Sequence, residues 1–218
     1  RSVLHSIGLS LPAKRIVVNL APADLTKTGS HFDLPIALGI LVAMEVISQD
    51  DVLNYFALGE LSLDGSILNV SGVLPAAIEA ASCNYGIICP AANGQEAVWA
   101  GEIDVVAPPD LLALINHLKG SQVLQAPALT IAKDDQNYPD LSDIKGQVVV
   151  KRALEIAAAG GHNMLMIGPP GSGKSMLASR LCGILPDLKN EEILEVSMVN
   201  SIAGNIEGGK LKRSRPFR

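Results

Sequence analysis

Eight residues late in the chain, Gly168-Pro169-Pro170-Gly171-Ser172-Gly173-Lys174-Ser175, limit its fold more than any other stretch. They complete the pattern Gly-x-x-x-x-Gly-Lys-Ser/Thr, which marks a phosphate-binding loop when it joins a strand to a helix. Both flanks suit that context. Ahead of it, Met164-Leu165-Met166-Ile167 is a short apolar run of the kind that forms a strand buried on both faces. Behind it, Met176, Leu177, Leu181, Ile184 and Leu185 recur at helical spacing until Pro186 stops the pattern. Glycines let successive N–H groups turn inward on phosphate oxygens, and a helix N-terminus adds partial positive charge. The nucleotide-binding set is therefore expected to run from Gly168 to Met176. Lys174 is expected to reach the β/γ-phosphates of ATP, and the Ser175 hydroxyl to ligate Mg²⁺. An ordinary glycine-rich turn is the alternative, and the agreement of motif with context weighs against it.

A chain of 218 residues, 48% hydrophobic but only 3% aromatic, has ample material for one large or two ordinary cores. Its aliphatic and alanine-rich profile fits helices packed on sheets. The formal charge of −5 carries no global nucleic-acid signature. Cys83, Cys89 and Cys182 have no metal spacing, and are expected to be buried free thiols in a reducing cytoplasm. The longest apolar stretch, Leu34 to Ile47, is interrupted by Pro35, Gly39 and Glu45 and is too short to span a membrane. The chain opens on Arg1 and stops at "KLKRSRPFR", so it is expected to be a piece of a longer protein.

Periodicity and turn chemistry divide the chain. Residues 1 to 11 suggest a short helix and "RIVVNL" a strand, followed by the loop "APADLTKTGSHFD" and a helix with Asp33 as its cap. Asp64-Gly65 between apolar segments predicts a hairpin. A helix after Gly72, the strand "GIICP", a helix over residues 93 to 100, the strand "IDVVA" and the helix "DLLALINHLKG" follow. This mixture leaves α+β and mixed α/β both open. Residues 120 to 139 lack periodicity and are expected to be a linker. A helix from Val148 to Ala159, stopped by Gly160-Gly161, precedes the loop. "NEEILEVSMVNSIAG" predicts a helix with Asn190 as N-cap.

"DLSDIKGQVVVKRALEIAAAGGHNMLMIGPPGSGKSMLASRLCGILPDL" resembles the opening of the ATPase module of the bacterial YifB/ComM family, AAA+ proteins related to the magnesium-chelatase ATPase subunit. "VVNLAPADLTKTGSHFDLPIALGIL" and "GELSLDGSILNVSGVLPAA" are similar to that family's N-terminal domain. The resemblance covers essentially the whole chain. It implies an α/β protein: a ribosomal-S5 or Lon-protease-like α+β domain over residues 1–119, a linker over 120–139, and the start of a P-loop AAA+ domain over 140–218. It places the backbone of Ile144 and Gly146, in "DIKGQ", near the adenine. It also implies ATP-dependent homo-oligomeric rings, expected to be hexamers, and a helicase or branch-migration motor acting on DNA. A magnesium-chelatase-like ATPase subunit is one alternative. A Lon-like peptidase or non-catalytic binding module is another.

Two features bear on those alternatives. The Lon-type serine position falls on His31, or with a shift on Ser30, and the lysine position falls on Leu74. A serine with no oriented base is not an activated nucleophile, so the loop is expected to be a retained scaffold feature. An ATP motor also needs an acidic pair on a neighbouring strand and an arginine supplied across a subunit interface. The downstream acids Asp187, Glu191, Glu192, Glu195 and Glu207 follow no apolar strand, so no catalytic residue is assigned in this chain. It is expected to bind ATP without efficient hydrolysis. The tail cations Lys210, Lys212, Arg213, Arg215 and Arg218 are expected to be solvated rather than a phosphate-binding patch. His5, His117 and His162 are expected to be structural.

Overall fold

The computed structural model describes residues 2–21, 29–128, 138–206, 209–213 and 215. The chain forms two compact units, residues 1–131 with 194–211, and residues 132–193 with 212–218. Residues 194–211 thus cluster with the first unit.

The first unit is α/β. Strands β1 (Tyr55–Ala57), β4 (Gly86–Ile88) and β5 (Val105–Val106) form a parallel sheet in the order β1-β4-β5. Because strand side chains alternate between faces, neighbouring residues of one strand enter different cores. Ile88 and Val106 pack with Leu34, Leu38 and Leu41 of α2 (Asp33–Ala43) and with Leu111 and Leu114 of α5 (Leu111–Leu118). Ile87 and Val105 pack with Val73 and Ala77 of α3 (Val73–Ser82) and with Ala97 of α4 (Gly94–Val98). Helices therefore cover both faces of the sheet, the arrangement a parallel sheet requires. Gly86 is needed where it stands, since a Cβ there would come within 2.5 Å of the Tyr55 ring.

The Asp64-Gly65 expectation holds. Strand β2 (Glu60–Leu61) pairs antiparallel with β3 (Ile67–Leu68) across that turn. Gly65 adopts φ 96°, and Asp64 accepts from the Ser66 N–H at 3.0 Å. Asp110 caps α5 by accepting from Ala113 N–H at 2.8 Å.

Several expectations need correction. Helix α1 covers only Ser2–Ser6, because Gly8 at φ 79° ends it and Leu9 N–H closes on Leu4 carbonyl at 2.8 Å. "RIVVNL" forms no strand; among the described residues no segment pairs with it, and a strand exists only through its ladder. Instead, Ile16, Val17 and Val18 line a groove of about 550 Å³ with Ile36, Ile40 and Met44 of the α2 side. Asp33 is the first residue of α2 rather than its cap, and its carboxylate accepts from Leu61 N–H at 3.4 Å. Cys83 is exposed, whereas Cys89 is buried and Cys182 half-buried. Burial pushes the Cys89 thiol up to about 12, which makes it inert.

In the second unit, α6 (Val148–Gly160) ends on Gly161 at φ 63°, as its glycine pair predicts. Helix α7 (Lys174–Leu181) follows the loop, and α8 (Asn190–Ile202) starts at Asn190 itself. The capping is done from inside that helix, by Glu192 accepting from Lys189 N–H at 2.8 Å. Of the tail cations, Lys210, Lys212 and Arg213 are exposed as expected, and Arg215 departs from expectation by docking. Arg215 donates to both Glu192 oxygens, at 3.1 and 2.9 Å, and Leu188 N–H bonds the Arg213 carbonyl at 2.9 Å. Arg218 lies outside the described residues. No described helix is long and apolar enough to cross a membrane.

Candidate nucleotide-binding site

Gly168 to Ser175 form a loop that runs directly into α7, with Lys174 and Ser175 as the first two helical residues. Gly171 and Gly173 adopt φ 80° and 84°, the left-handed region that side chains avoid. A turn bond from Ser172 N–H to the Pro169 carbonyl, 3.3 Å, closes the loop. Lys174 Nζ donates to the Gly168 and Pro169 carbonyls, both at 2.8 Å, and to Ser172 Oγ at 3.3 Å. The ammonium thus lies over the loop it belongs to, at the positive end of a helix. Ser175 and Met176 are exposed beside it. This donor set fits a triphosphate, because it combines a cation, a helix N-terminus and glycine-freed backbone. It also suits the Mg²⁺ that accompanies a triphosphate, through the exposed Ser175 hydroxyl.

The apolar run before the loop departs from expectation. Met164 to Ile167 has no strand assignment, and Leu165 and Ile167 are 83% and 88% exposed. No described segment pairs with it, so its backbone has no ladder to join.

Leu177 on α7 is buried with Leu141, Ile144 and Leu154, with Leu181 and Ile184 packed against them. This small core brings Ile144 to the helix that carries Lys174. Both backbone groups of Ile144 are engaged: its N–H with the Leu141 carbonyl at 3.4 Å, its carbonyl with Lys151 Nζ. Gly146, at φ 71°, is open, with nothing within 4 Å of where a Cβ would stand.

Three residues at this site escaped sequence reasoning. Arg180 Nε donates to the Asp140 carbonyl at 2.9 Å, and Nη2 lies 3.6 Å from Asp143 Oδ2. Lys151 holds Ile144. Asp140 accepts from Ser142 N–H at 2.7 Å, and that bond above all, with the nearby Arg180 and Lys151 charges, lowers its carboxyl below the usual value. An arginine six residues past the motif lysine was a visible signal, but only the fold shows what it grips.

Ser30 donates to the Glu60 carboxylate, and the His31 ring meets Phe32 at a tilt of 51° with centroids 4.8 Å apart. Leu74 is fully buried at the start of α3, its N–H bonded to buried Glu96 at 3.1 Å. Glu96 also accepts from Asn93 Nδ2 at 3.0 Å and from the Ser201 hydroxyl. Among the described residues no cluster of His, Cys, Asp or Glu could hold a metal ion. His117 is structural, its Nδ1 accepting from Leu124 N–H at 3.0 Å.

The family of the magnesium chelatase subunit ChlI matches residues 140–218, and a second ChlI-subunit family matches residues 1–93. The chain is 43% identical over 218 residues to the uncharacterized protein YifB of Escherichia coli K12, covering all of this chain and 43% of that protein. It is 42% identical over 224 residues to the competence protein ComM of Haemophilus influenzae, covering 100% of this chain and 44% of ComM. An uncharacterized Mycobacterium bovis protein, Mb2921c, is 39% identical over 217 residues, again 43% of its length. The chain therefore spans less than half the length of the curated relatives it matches. With similarity running from end to end on both sides of the phosphate-loop motif, the chain belongs to the magnesium-chelatase-like YifB/ComM family.

Proposed function

We propose that this chain supplies the N-terminal domain and the nucleotide-binding opening of an AAA+ ATPase that drives a DNA helicase or branch-migration motor in DNA uptake or recombination. The observation that carries this reading is Lys174, held over a glycine loop at the start of α7. In this reading Gly168 to Met176 bind ATP. Exchanging two carbonyl acceptors for phosphate oxygens strengthens each lysine hydrogen bond, because the new acceptors are charged. Ser175 ligates Mg²⁺, which with the lysine offsets charge on the β- and γ-phosphates. The backbone of exposed Gly146 and of buried Ile144 meets the adenine in this reading. The protein works as a homo-oligomeric ring, a hexamer, in the cytoplasm. The competence role named for ComM supports the link to DNA uptake.

The first unit acts in this reading as a binding module of ribosomal-S5 or Lon-like descent. Leu74, fully buried at the lysine position, supports a non-catalytic role. A second reading, an ATPase subunit of a magnesium chelatase, draws support from the description of the matched family.

The test is ATP binding and DNA-stimulated turnover by the full-length protein. Lys174→Ala should weaken Mg-ATP binding about 100-fold, the loss of charge-assisted hydrogen bonds worth about 3 kcal/mol. Residues 1–218 alone should bind ATP with no motor-like turnover in a steady-state assay. A full-length protein with no affinity for Mg-ATP would sink the proposal. ATP turnover that ignores DNA but responds to a porphyrin would favour the chelatase reading.

A further inference from the structure

We infer that Arg180 and Lys151 are positioning residues that clamp the segment Asp140 to Ile144 beside the phosphate loop, and so set how strongly the site favours a nucleotide over a bare phosphate chain. The inference rests on the reading that the far end of this segment meets the base.

The clamp comes from the two helices that flank the loop in sequence. Arg180, on α7, leaves only 15% of its side chain exposed. Its Nε donates to the Asp140 carbonyl at 2.9 Å, and its Nη1 to the Met176 carbonyl of its own helix at 3.0 Å. One planar guanidinium therefore ties the start of the segment to the helix that begins with Lys174, a geometry that suits arginine's rigid fork. Its distance to Asp143 Oδ2, 3.6 Å, is beyond hydrogen bonding, so the carbonyls carry the hold. Lys151, on α6, donates to the Ile144 carbonyl at the other end. Two cations thus end on backbone carbonyls four residues apart, and Leu141 and Ile144 between them pack on Leu154 and Leu177.

Past the clamp the chain reverses. Gly146 and Gln147 take φ 71° and 54° before α6 begins at Val148. Lys145 and Gly146 are exposed there, directly after the Ile144 carbonyl that Lys151 holds. The phosphate loop is held by different bonds, those of Lys174 to Gly168 and Pro169. Base and phosphates would be held by separable parts, so damage to the clamp should be felt by one and not the other.

Affinities of the full-length protein for ATP, GTP and inorganic tripolyphosphate, each with Mg²⁺, measure the effect directly. The wild type should prefer ATP. Arg180→Gln should weaken ATP binding about tenfold, the loss of one hydrogen bond from a charged donor, and leave tripolyphosphate within about twofold. Arg180→Lys, which can still reach one carbonyl, should recover part of the loss. Lys151→Met should act in the same sense from the other helix, and serves if Arg180→Gln does not fold. Equal losses for ATP and tripolyphosphate in both variants would reduce the two residues to scaffold and overturn the inference. So would unchanged ATP preference in both, while leaving the nucleotide reading intact. A wild type that binds ATP no better than tripolyphosphate would instead overturn the base-contact reading, and the clamp's role with it.

Discussion

The two compact units differ in how completely their apolar surfaces are covered. In the first, the central strand Gly86–Ile88 is paired on both sides and buried on both faces, with Leu34, Leu41, Leu111 and Leu114 inaccessible on one side and Val73 and Ala77 on the other. In the second, a core of Leu141, Ile144, Leu154 and Leu177 supports α6 and α7, while Leu165 and Ile167 stand exposed without a ladder. The comparison separates two things that a motif joins. A phosphate loop can be shaped locally, by glycine conformations, a lysine and a helix start. The strand that leads into it cannot, because a strand is completed only by its neighbours.

That contrast predicts unequal responses to the same truncation. Leu114→Ala should cost about 2–5 kcal/mol in denaturant unfolding of this chain, the range for a buried leucine that leaves a cavity. Leu165→Ala should stay within about 0.5 kcal/mol, as surface changes do. Similar losses at both positions would erase the distinction between the units.

Glu96 sharpens the picture of the first unit. Its carboxylate is buried, with three donors on it: Leu74 N–H, Asn93 Nδ2 and the Ser201 hydroxyl. Glu96→Gln keeps the shape but turns an amide donor toward one of those donors. It should destabilise the chain by about 1–3 kcal/mol, the penalty of a buried unsatisfied group. A melting temperature equal to that of the wild type would mean the network contributes nothing.

The smallest effect belongs to Asp140 in the second unit. Its carboxyl is lowered from 3.8, first by the Ser142 N–H and then by the Ser142 hydroxyl. A folded-state value below the unfolded one contributes stability that is present above about pH 4 and lost as pH falls through the folded value. Asp140→Asn should therefore narrow the gap to wild type as pH drops from 5 towards 3, followed by thermal unfolding. A gap that widened on acidification would reverse the assigned sign.

Much was legible before any coordinates. Asp64-Gly65 announced a hairpin, Asp110 a helix start and Gly161 a helix end, because each acts through bonds spanning only a few residues. The loop from Gly168 to Ser175 belongs to the same group. "RIVVNL" and Met164 to Ile167 misled for one reason: β-branched or apolar runs state a preference, and pairing depends on what lies alongside. Asn190 and Asp33 looked like caps, but Glu192 and the Leu61 N–H show where the bonds fall. Among the tail cations expected to be solvated, Arg215 proved the exception, meeting Glu192 across 23 residues.

By itself, then, the amino-acid order determined the glycine-rich loop leading into a helix, the hairpin turn and the glycine stop of α6, all set by short-range backbone preference. Beyond that hairpin, only the tertiary structure decided which strands would pair. It alone gave Arg180 and Lys151 the carbonyls they hold, and buried Glu96 between Leu74 and Ser201. Those contacts join residues 7 to 105 positions apart, and no local pattern encodes a partner at such distances.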